Sequence, residues 1–444
     1  MNKKIKWLRE QSKEWAGQGV VSVEQAERIQ QLYPEPRAGV RWGPIIFSGI
    51  GAIIAGLGMM LLLACNWQAI PKAVKLGVMF FALIGSYGGG IRLYLGKDGG
   101  RQVGQAVCLL GSMFFGAGIW LVARIYHVQE HYPDGFLIWG LGALAMAWAM
   151  PSLAQGLLAT AVLSIWGCIE GWEFNHALHG APLVVLAGVG LLSWRLRSPL
   201  LLWFVLAAFF FTLVGNVQAV AEGLILRVLL NFAALFVALS ILARWRRWFH
   251  ESAPAWEFFG WLGFLLCVYL LSFPELVQGL MGLHHLNATS PRPMPVAYEW
   301  GTFVLALGAW AVLGLPVHPQ TPREARPPGL RIEHWLVPLT ALVCQAFVLE
   351  KSAGLKWEIA GVFNMVFLAV AAAWMARGCR EGLFGPTVLG SLLLVALAVA
   401  RYFDLLDSLA ARGLVFLAVG GLFLAEGALF RRARSHAEGE EVFA

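Results

Sequence analysis

Long apolar runs separated by short polar segments fill almost the whole chain. Most runs are close to the length of about 20 residues that an α-helix needs to cross a bilayer core. They do not alternate apolar and polar positions, as the strands of a transmembrane β-barrel would. The pattern predicts an all-α, polytopic transmembrane helical bundle of about fourteen spans. The predicted spans are 42–65, 73–94, 103–126, 134–150, 152–170, 181–195, 198–219, 222–243, 256–275, 297–315, 334–350, 357–376, 384–404 and 411–430.

The run from Phe136 to Ile169 carries no charged side chain and is too long for one ordinary span. Pro151 lies near its middle, where it suits the first turn of a second helix. We therefore interpret the run as two spans joined by a tight turn, with a re-entrant arrangement as the alternative. A single span would also move every later loop to the opposite side of the membrane.

Lys and Arg residues indicate the orientation of these spans. Most of the 33 fall in the N-terminal segment, in alternate loops and in the C-terminal tail. Short cytoplasmic loops carry an excess of Lys and Arg, so both termini are predicted to be cytoplasmic. The clusters at 244–247 and 431–434 then face the cytoplasm.

The polar segments define the predicted domain organisation. The N-terminal segment reads as an amphipathic helical hairpin, because Gly17 and Gly19 interrupt it and Ser22 with Gln25 forms a capping box. It lacks the apolar core of a cleavable signal peptide. The predicted regions are 1–41, the cytoplasmic hairpin; 42–315, spans 1–10; 316–333, a Pro-rich cytoplasmic linker; 334–430, spans 11–14; and 431–444, a cytoplasmic tail.

Composition narrows the class of protein further. Hydrophobic residues make up 59% of the chain and charged residues 13%, against about 25% charged in soluble domains. A soluble globular enzyme, a disordered protein and a disulfide scaffold are excluded. We assign the net charge of +7 to membrane orientation and expect no nucleic-acid partner. The six cysteines form no CxxC, so we expect neither a disulfide nor a cysteine metal site.

Polar residues inside the predicted spans cluster near their outer ends. Intramembrane charges are costly and tend to line cavities or pathways, so they predict an outward-facing polar cavity. Arg227 and Asn231 share a helical face, and Arg401 could pair with Asp404. Snorkelling to the interface or local pairing remains the alternative, and Asn66 with Trp67 could serve only as a cap and an interface anchor. The candidate cavity residues are Arg124, Arg227, Asn231, Arg401, Asp404, Asn66 and Trp67.

An HxxEH pattern at the end of the third span raises the question of a metal. Inverted zincins use this pattern, with two histidines one helical turn apart on zinc. A turn sequence follows directly, which favours plain interfacial histidines. We predict no cofactor and keep zinc as the alternative. The candidate ligands are His127, Glu130, His131, His176 and His179.

Residues 64–71, together with Lys75, resemble the A-x-N-W…P…K signature of a bacterial membrane family, domain of unknown function 2157. The N-terminal lead and residues 125–127 are also similar to that family, whereas the resemblance beyond about residue 150 is loose. It implies a multi-pass protein of the bacterial inner membrane with unassigned activity. No catalytic residues come with it.

Three functions are compatible with these patterns. A transporter or flippase for a polar or lipid-linked anionic substrate, using the outward-facing cavity, is favoured because nearly all of the chain is membrane-embedded. The alternatives are a non-catalytic membrane scaffold or envelope-stress partner, and a membrane-embedded enzyme with an outer His/Glu metal site. A non-enzymatic role is favoured, because nucleotide-binding and serine-hydrolase motifs are missing. The expected partners are the lipid bilayer and an anionic lipid or lipid-linked substrate.

Overall fold

The computed structural model consists of α-helices and short connections, and no strand occurs in the parts of the chain that it describes. The helices are labelled here in chain order. The structure describes residues 2–32, 71–96, 100–127, 131–174, 178, 180–215, 224–246, 249–280, 293–314, 330–349 and 356–404, with single positions between 47 and 58 and between 417 and 424.

The helices run along the chain as follows: α1 Asn2–Gly17, α2 Val23–Leu32, α3 Lys72–Leu95, α4 Arg101–Tyr126, α5 Pro133–Ala149, α6 Leu153–Trp172, α7 Gly180–Leu196, α8 Pro199–Gly215, α9 Leu224–Arg246, α10 Ala253–Leu271, α11 Pro274–Leu280, α12 Pro293–Gly314, α13 Ile332–Leu349, α14 Lys356–Glu381 and α15 Phe384–Asp404.

Each predicted span from the second to the thirteenth corresponds to one of these helices, which confirms the all-α helical class. Seven helices in the described parts are long and apolar enough to cross a membrane. The uncharged run around Pro151 forms two helices, α5 and α6, joined by a short turn. The first and last predicted spans and the Pro-rich linker lie outside the described residues, apart from single positions and the linker's last residues.

The chain divides into two compact units, residues 1–126 and 127–444. In the first unit, α1 and α2 form the predicted N-terminal hairpin, with Gly19 in the left-handed region at φ +74°. The Ser22 amide donates to Gln25 Oε1 at 3.0 Å and the Gln25 amide donates to Ser22 Oγ at 3.2 Å, which confirms the capping box.

The α3–α4 pair of the first unit packs through small residues. A Cβ added at Gly90 would lie 2.5 Å from Cys108 Sγ, and one added at Gly104 would lie 2.6 Å from the Gly90 carbonyl oxygen. Tyr87 and Ser112 share a hydrogen bond of 3.0 Å farther along the pair. These contacts fix an antiparallel pair whose backbones approach closely, as expected of membrane helices that associate through small residues.

In the second unit, α6 and α7 pack on one face of α8, and α5 packs on α6. Leu201 and Val205 of α8 belong to this core, whereas Leu206 and Phe209 of the same helix belong to the core around α9. Helix α8 is therefore apolar all round and joins two cores, which explains why its sequence shows no polar face.

Helix α7 contains a π-helical turn at Val185–Val189. Such a turn displaces the regular backbone hydrogen bonds. The Trp148 indole of α5 donates to the Gly188 carbonyl at 3.0 Å, so a side chain from a neighbouring helix binds the backbone of this turn.

Helix α9 is the most deeply buried candidate span and lies at the centre of the larger core with α10, α12, α13 and α14. It runs parallel to α12, because Asn231 bonds to Thr302 and the carbonyl of Ala234, one turn later, accepts from Trp310. Parallel packing agrees with the predicted topology, in which both spans run inward.

Helix α14 runs antiparallel to α10. Asn364, near the start of α14, donates to the carbonyl of Ser272, just after α10, and Trp374 contacts Trp261 near the other ends. The ends predicted to face the cytoplasm therefore gather at one end of this helix group, and the outer ends gather at the other.

Candidate functional site

A cavity of about 710 Å³ opens at one end of this helix group. Its walls come from the last turns of α9 and α14, the first half of α10 and the first turns of α13 and α15. In the predicted topology this is the cytoplasmic end. We call it the basic cavity, and its polar lining residues are Arg244, Glu257, Arg331, His334 and Arg377.

Two arginines of the basic cavity form exposed ion pairs. Arg244 contacts Glu257, and Arg331 Nη2 lies 3.8 Å from Glu381 Oε1. Exposed ion pairs contribute little to stability. A guanidinium carries five N–H donors and one carboxylate engages at most two of them. Both arginines can therefore bind a further anionic group.

Arg377 is the deepest of the three arginines. Its Nη1 donates to Glu333 Oε1 at 2.8 Å, and the two side chains are only 22% and 7% exposed. Its Nε is buried and has no hydrogen-bond partner among the described residues. An unsatisfied buried donor costs about 1–3 kcal/mol, so a shift of this side chain that brought Nε to an acceptor in the cavity would be favourable.

The rest of the basic cavity is apolar. Trp261 and Trp374 stand edge to face at 4.9 Å on its wall. Phe258, Leu262 and Leu389 also line it, and they remain 51%, 46% and 45% exposed on the outside of the helix group. In a membrane, exposed apolar side chains of this kind face lipid, so the cavity has an apolar rim on the lipid side.

A second polar group, here called the Arg227 cluster, lies toward the opposite end and consists of Arg227, Asn231, Glu299, Thr302 and Gln345. Arg227 Nε lies 3.1 Å from Glu299 Oε1, with side chains 10% and 5% exposed. Asn231 Nδ2 donates to Thr302 Oγ1 at 3.2 Å and to the Glu299 carbonyl at 3.3 Å. Gln345 of α13 lies next to the Glu299 carboxylate. Direct side-chain contacts hold this cluster in the interior.

Arg401 contacts a different set of residues at the same end. Its Nη2 donates to the carbonyl of Ser272 at 2.8 Å and to the Ser272 hydroxyl at 2.6 Å, and its guanidinium lies over the Phe273 ring. Asp404 ends α15, and its side chain lies outside the described residues.

Three of the predicted outer-cavity residues have described side chains in the second unit. Arg227 and Asn231 lie in one buried cluster and Arg401 lies against the end of α10. Arg124 is an exposed residue of α4 in the first unit. Asn66 and Trp67 lie outside the described residues.

Of the predicted metal ligands, His131 is the one that the structure places next to a buried acid. Its Nε2 lies 2.5 Å from Glu170 Oε1. His127 is exposed and has φ +52°, so it cannot continue a helix toward His131 as the zincin pattern requires. Glu130, His176 and His179 lie outside the described residues.

Sequence reasoning assigned the arginines of the basic cavity to membrane orientation alone. Arg244 of α9 contacts Glu257 of α10, and Arg377 of α14 meets Glu333 of α13. The individual spans show no sign of this pairing. The one available signal was that a charge inside a predicted span, Glu257, lies on the cytoplasmic side, where an arginine cluster could reach it.

The family match found for this chain covers its N-terminal third. Residues 13–156 match the model of the family described as "Predicted membrane protein (DUF2157)", which confirms the resemblance over that range. No curated protein and no solved structure matches the chain. The match ends before the helices that line the basic cavity, so the chemistry of the cavity is inferred from its own residues.

Proposed function

We propose that this membrane protein binds an anionic amphiphile, a lipid or lipid-linked molecule with a phosphate-type head group, in the basic cavity and moves it across the membrane. The observation that carries the proposal is the buried Arg377 Nε, without a partner in the described residues, at the polar end of an apolar-walled cavity.

The head-group part rests on the chemistry of arginine. Arginine binds phosphate and carboxylate oxygens through two parallel N–H donors, and basic pockets between helices on the cytoplasmic side are typical sites for anionic lipid head groups. Arg244 and Arg377 reach one cavity from α9 and α14, and Arg331 reaches it from the position just before α13. Their paired carboxylates limit the net charge there, which favours one phosphate over a highly charged ligand.

The apolar part rests on size and access. A cavity of about 710 Å³ has the size of a small-molecule site and is too small for a whole two-chain lipid. The exposed rim of Phe258 and Leu262 provides an apolar surface along which an acyl or prenyl chain can remain in the membrane. A ligand that enters sideways from the bilayer satisfies both features.

Movement across the membrane is the further step of the proposal. Arg401, in the predicted outer half of the same helix group, supplies positive charge on the route from the basic cavity to the other side. The buried pair of Arg227 and Glu299 is not part of this route. The helix directions support this step, because Arg377 and Arg401 lie toward opposite ends of the helix group.

Binding and movement are tested separately with the full chain in nanodiscs and liposomes. Native mass spectrometry of nanodiscs that contain phosphatidic acid should show retained lipid. Arg377→Gln should weaken retention by about tenfold, because one charge-assisted hydrogen bond to the head group is lost. Arg380→Gln is the matched control, because Arg380 is exposed one turn farther along α14. Equal retention by both variants and the unaltered protein would refute the binding site.

Movement is read from the transfer of a fluorescent phosphatidic acid between leaflets of liposomes that contain the protein. Faster transfer than in protein-free liposomes, lost in Arg377→Gln, supports transport. Binding without any acceleration would limit the protein to lipid recognition, and the alternative of a membrane scaffold would then be preferred. The exposed Trp7, Val20 and Val23 on the N-terminal hairpin favour that alternative as a partner surface.

A further inference from the structure

The α5–α6 hairpin of the second unit brings three potential metal ligands together at its open end. His131 precedes α5, Asp134 lies in the first turn of α5 and Glu170 lies in the last turn of α6. The antiparallel register places them side by side: halfway along, a Cβ added at Gly140 would lie 2.6 Å from Leu163 Cδ2.

The three ligand atoms lie close enough for small side-chain movements to bring them around one ion. One ligand atom from each of His131, Asp134 and Glu170 lies within 4.8 Å of the others, and the His131–Glu170 contact is 2.5 Å. Bonds of about 2.1 Å in a tetrahedral zinc site place ligand atoms about 3.4 Å apart. Binding an ion would therefore widen the direct His131–Glu170 contact, and the exposed Asp134 side chain can rotate to close the remaining distance.

Charge also favours a divalent cation at this place. Glu170 is only 3% exposed, and it lies in the last turn of α6, where the helix dipole is negative. Asp134 brings a second carboxylate next to it. Two carboxylates and one imidazole meet here, and a divalent ion balances the charge of both carboxylates.

Aromatic side chains pack against His131 and Tyr132. The rings of His131 and Phe174 lie edge to face with centroids 4.2 Å apart, and Tyr132 contacts Phe174 at 5.4 Å. The Tyr132 hydroxyl donates a hydrogen bond to Glu173. Contacts of this kind orient the side chains that bind a metal and keep them in position.

We propose that His131, Asp134 and Glu170 bind a divalent transition metal, with zinc as the expected ion and at least one coordination position left for water or another ligand. One imidazole nitrogen and two carboxylate oxygens are a donor set that zinc and manganese accept. The site is independent of the basic cavity and of the proposed lipid function.

The experiment uses the full chain in detergent, stripped with chelator, incubated with zinc chloride and passed through a gel-filtration column before metal analysis. About one zinc per chain is expected, with Glu170→Gln and Asp134→Asn each weakening binding at least about tenfold. His127→Asn is the matched control, because His127 is an exposed histidine four residues away and Asn tolerates its left-handed backbone.

A second readout keeps the test valid if Glu170→Gln fails to fold. Zinc should raise the thermal midpoint of the unaltered protein but not that of Asp134→Asn, whose substitution is at the surface. Retention of manganese but not zinc, in a parallel incubation with manganese chloride, supports the site and identifies manganese as the ion. No retained metal, or retention that Asp134→Asn and His127→Asn alter equally, overturns the proposal and leaves an ion pair of His131 with Glu170.

Discussion

The second unit contains two arginine–carboxylate pairs that differ in their surroundings. Arg227 and Glu299 lie in the interior, where Asn231, Thr302 and Gln345 surround them. Arg377 and Glu333 lie at the edge of a cavity. The first pair is enclosed by polar neighbours of the chain itself, whereas the second has open volume beside a buried donor.

This difference separates a structural role from a binding role. A buried ion pair is tolerated where hydrogen bonds compensate the lost hydration of both charges, and breaking such a pair is strongly destabilising. A pair at a cavity can exchange one partner for a ligand at small cost. The Arg227 cluster should therefore control stability, and the basic cavity should control affinity.

The largest expected effect is that of Glu299→Ala on the Arg227 cluster. The substitution removes the carboxylate beside a buried guanidinium and should lower the free energy of unfolding by about 3–5 kcal/mol. Denaturation in mixed micelles, followed by Trp fluorescence, measures this change. Glu257→Ala, which removes the carboxylate of an exposed pair, is the control and should cost less than about 1 kcal/mol. Similar losses for both variants would contradict the comparison.

A smaller effect is expected from Gly378→Ala, which acts on the framework of the basic cavity. Gly378 lies where α14 meets α15, and an added Cβ would lie 2.8 Å from Thr387 Cα. Forcing these helices apart should cost about 1–3 kcal/mol and weaken lipid retention, because both helices line the cavity. Gly361→Ala on the same helix meets nothing within 4 Å and is the matched control. Unchanged retention in Gly378→Ala would show that the cavity does not depend on this contact.

Glu333→Gln should separate affinity from stability. The substitution removes the carboxylate that competes for Arg377, so phosphatidic acid should bind roughly tenfold more tightly in the nanodisc assay. The loss in unfolding free energy should be only about 1–2 kcal/mol, because the amide can still accept a hydrogen bond from Arg377. Weaker lipid binding would contradict the idea that Glu333 competes with an anionic ligand for the Arg377 guanidinium.

The sequence predicted the helices well and their polar contacts poorly. The length of the apolar runs located α3 to α10 and α12 to α15, since each membrane span must satisfy its backbone hydrogen bonds within its own helix. The turn at Pro151 and the capping box at Ser22 could be predicted because both depend on neighbouring residues. The basic cavity could not, because Arg377 meets Glu333 only after α13 and α14 pack together. Likewise, the HxxEH pattern named His131 as a candidate ligand but not Glu170, which the fold brings to it from 39 residues away.

The smallest expected effect is that of Arg244→Gln, at the exposed rim of the basic cavity. Arg244 and Glu257 are 47% and 37% exposed, so the loss of this ion pair should change the free energy of unfolding by less than about 1 kcal/mol. Lipid retention should fall several-fold at low salt and much less at 0.5 M salt, because exposed charges are screened. Retention by Arg377→Gln should depend less on salt, since that side chain is mostly buried. A salt response of the same size in both variants would mean that the two arginines meet the head group in equally exposed positions, and the cavity would then bind its ligand at the rim rather than at Arg377.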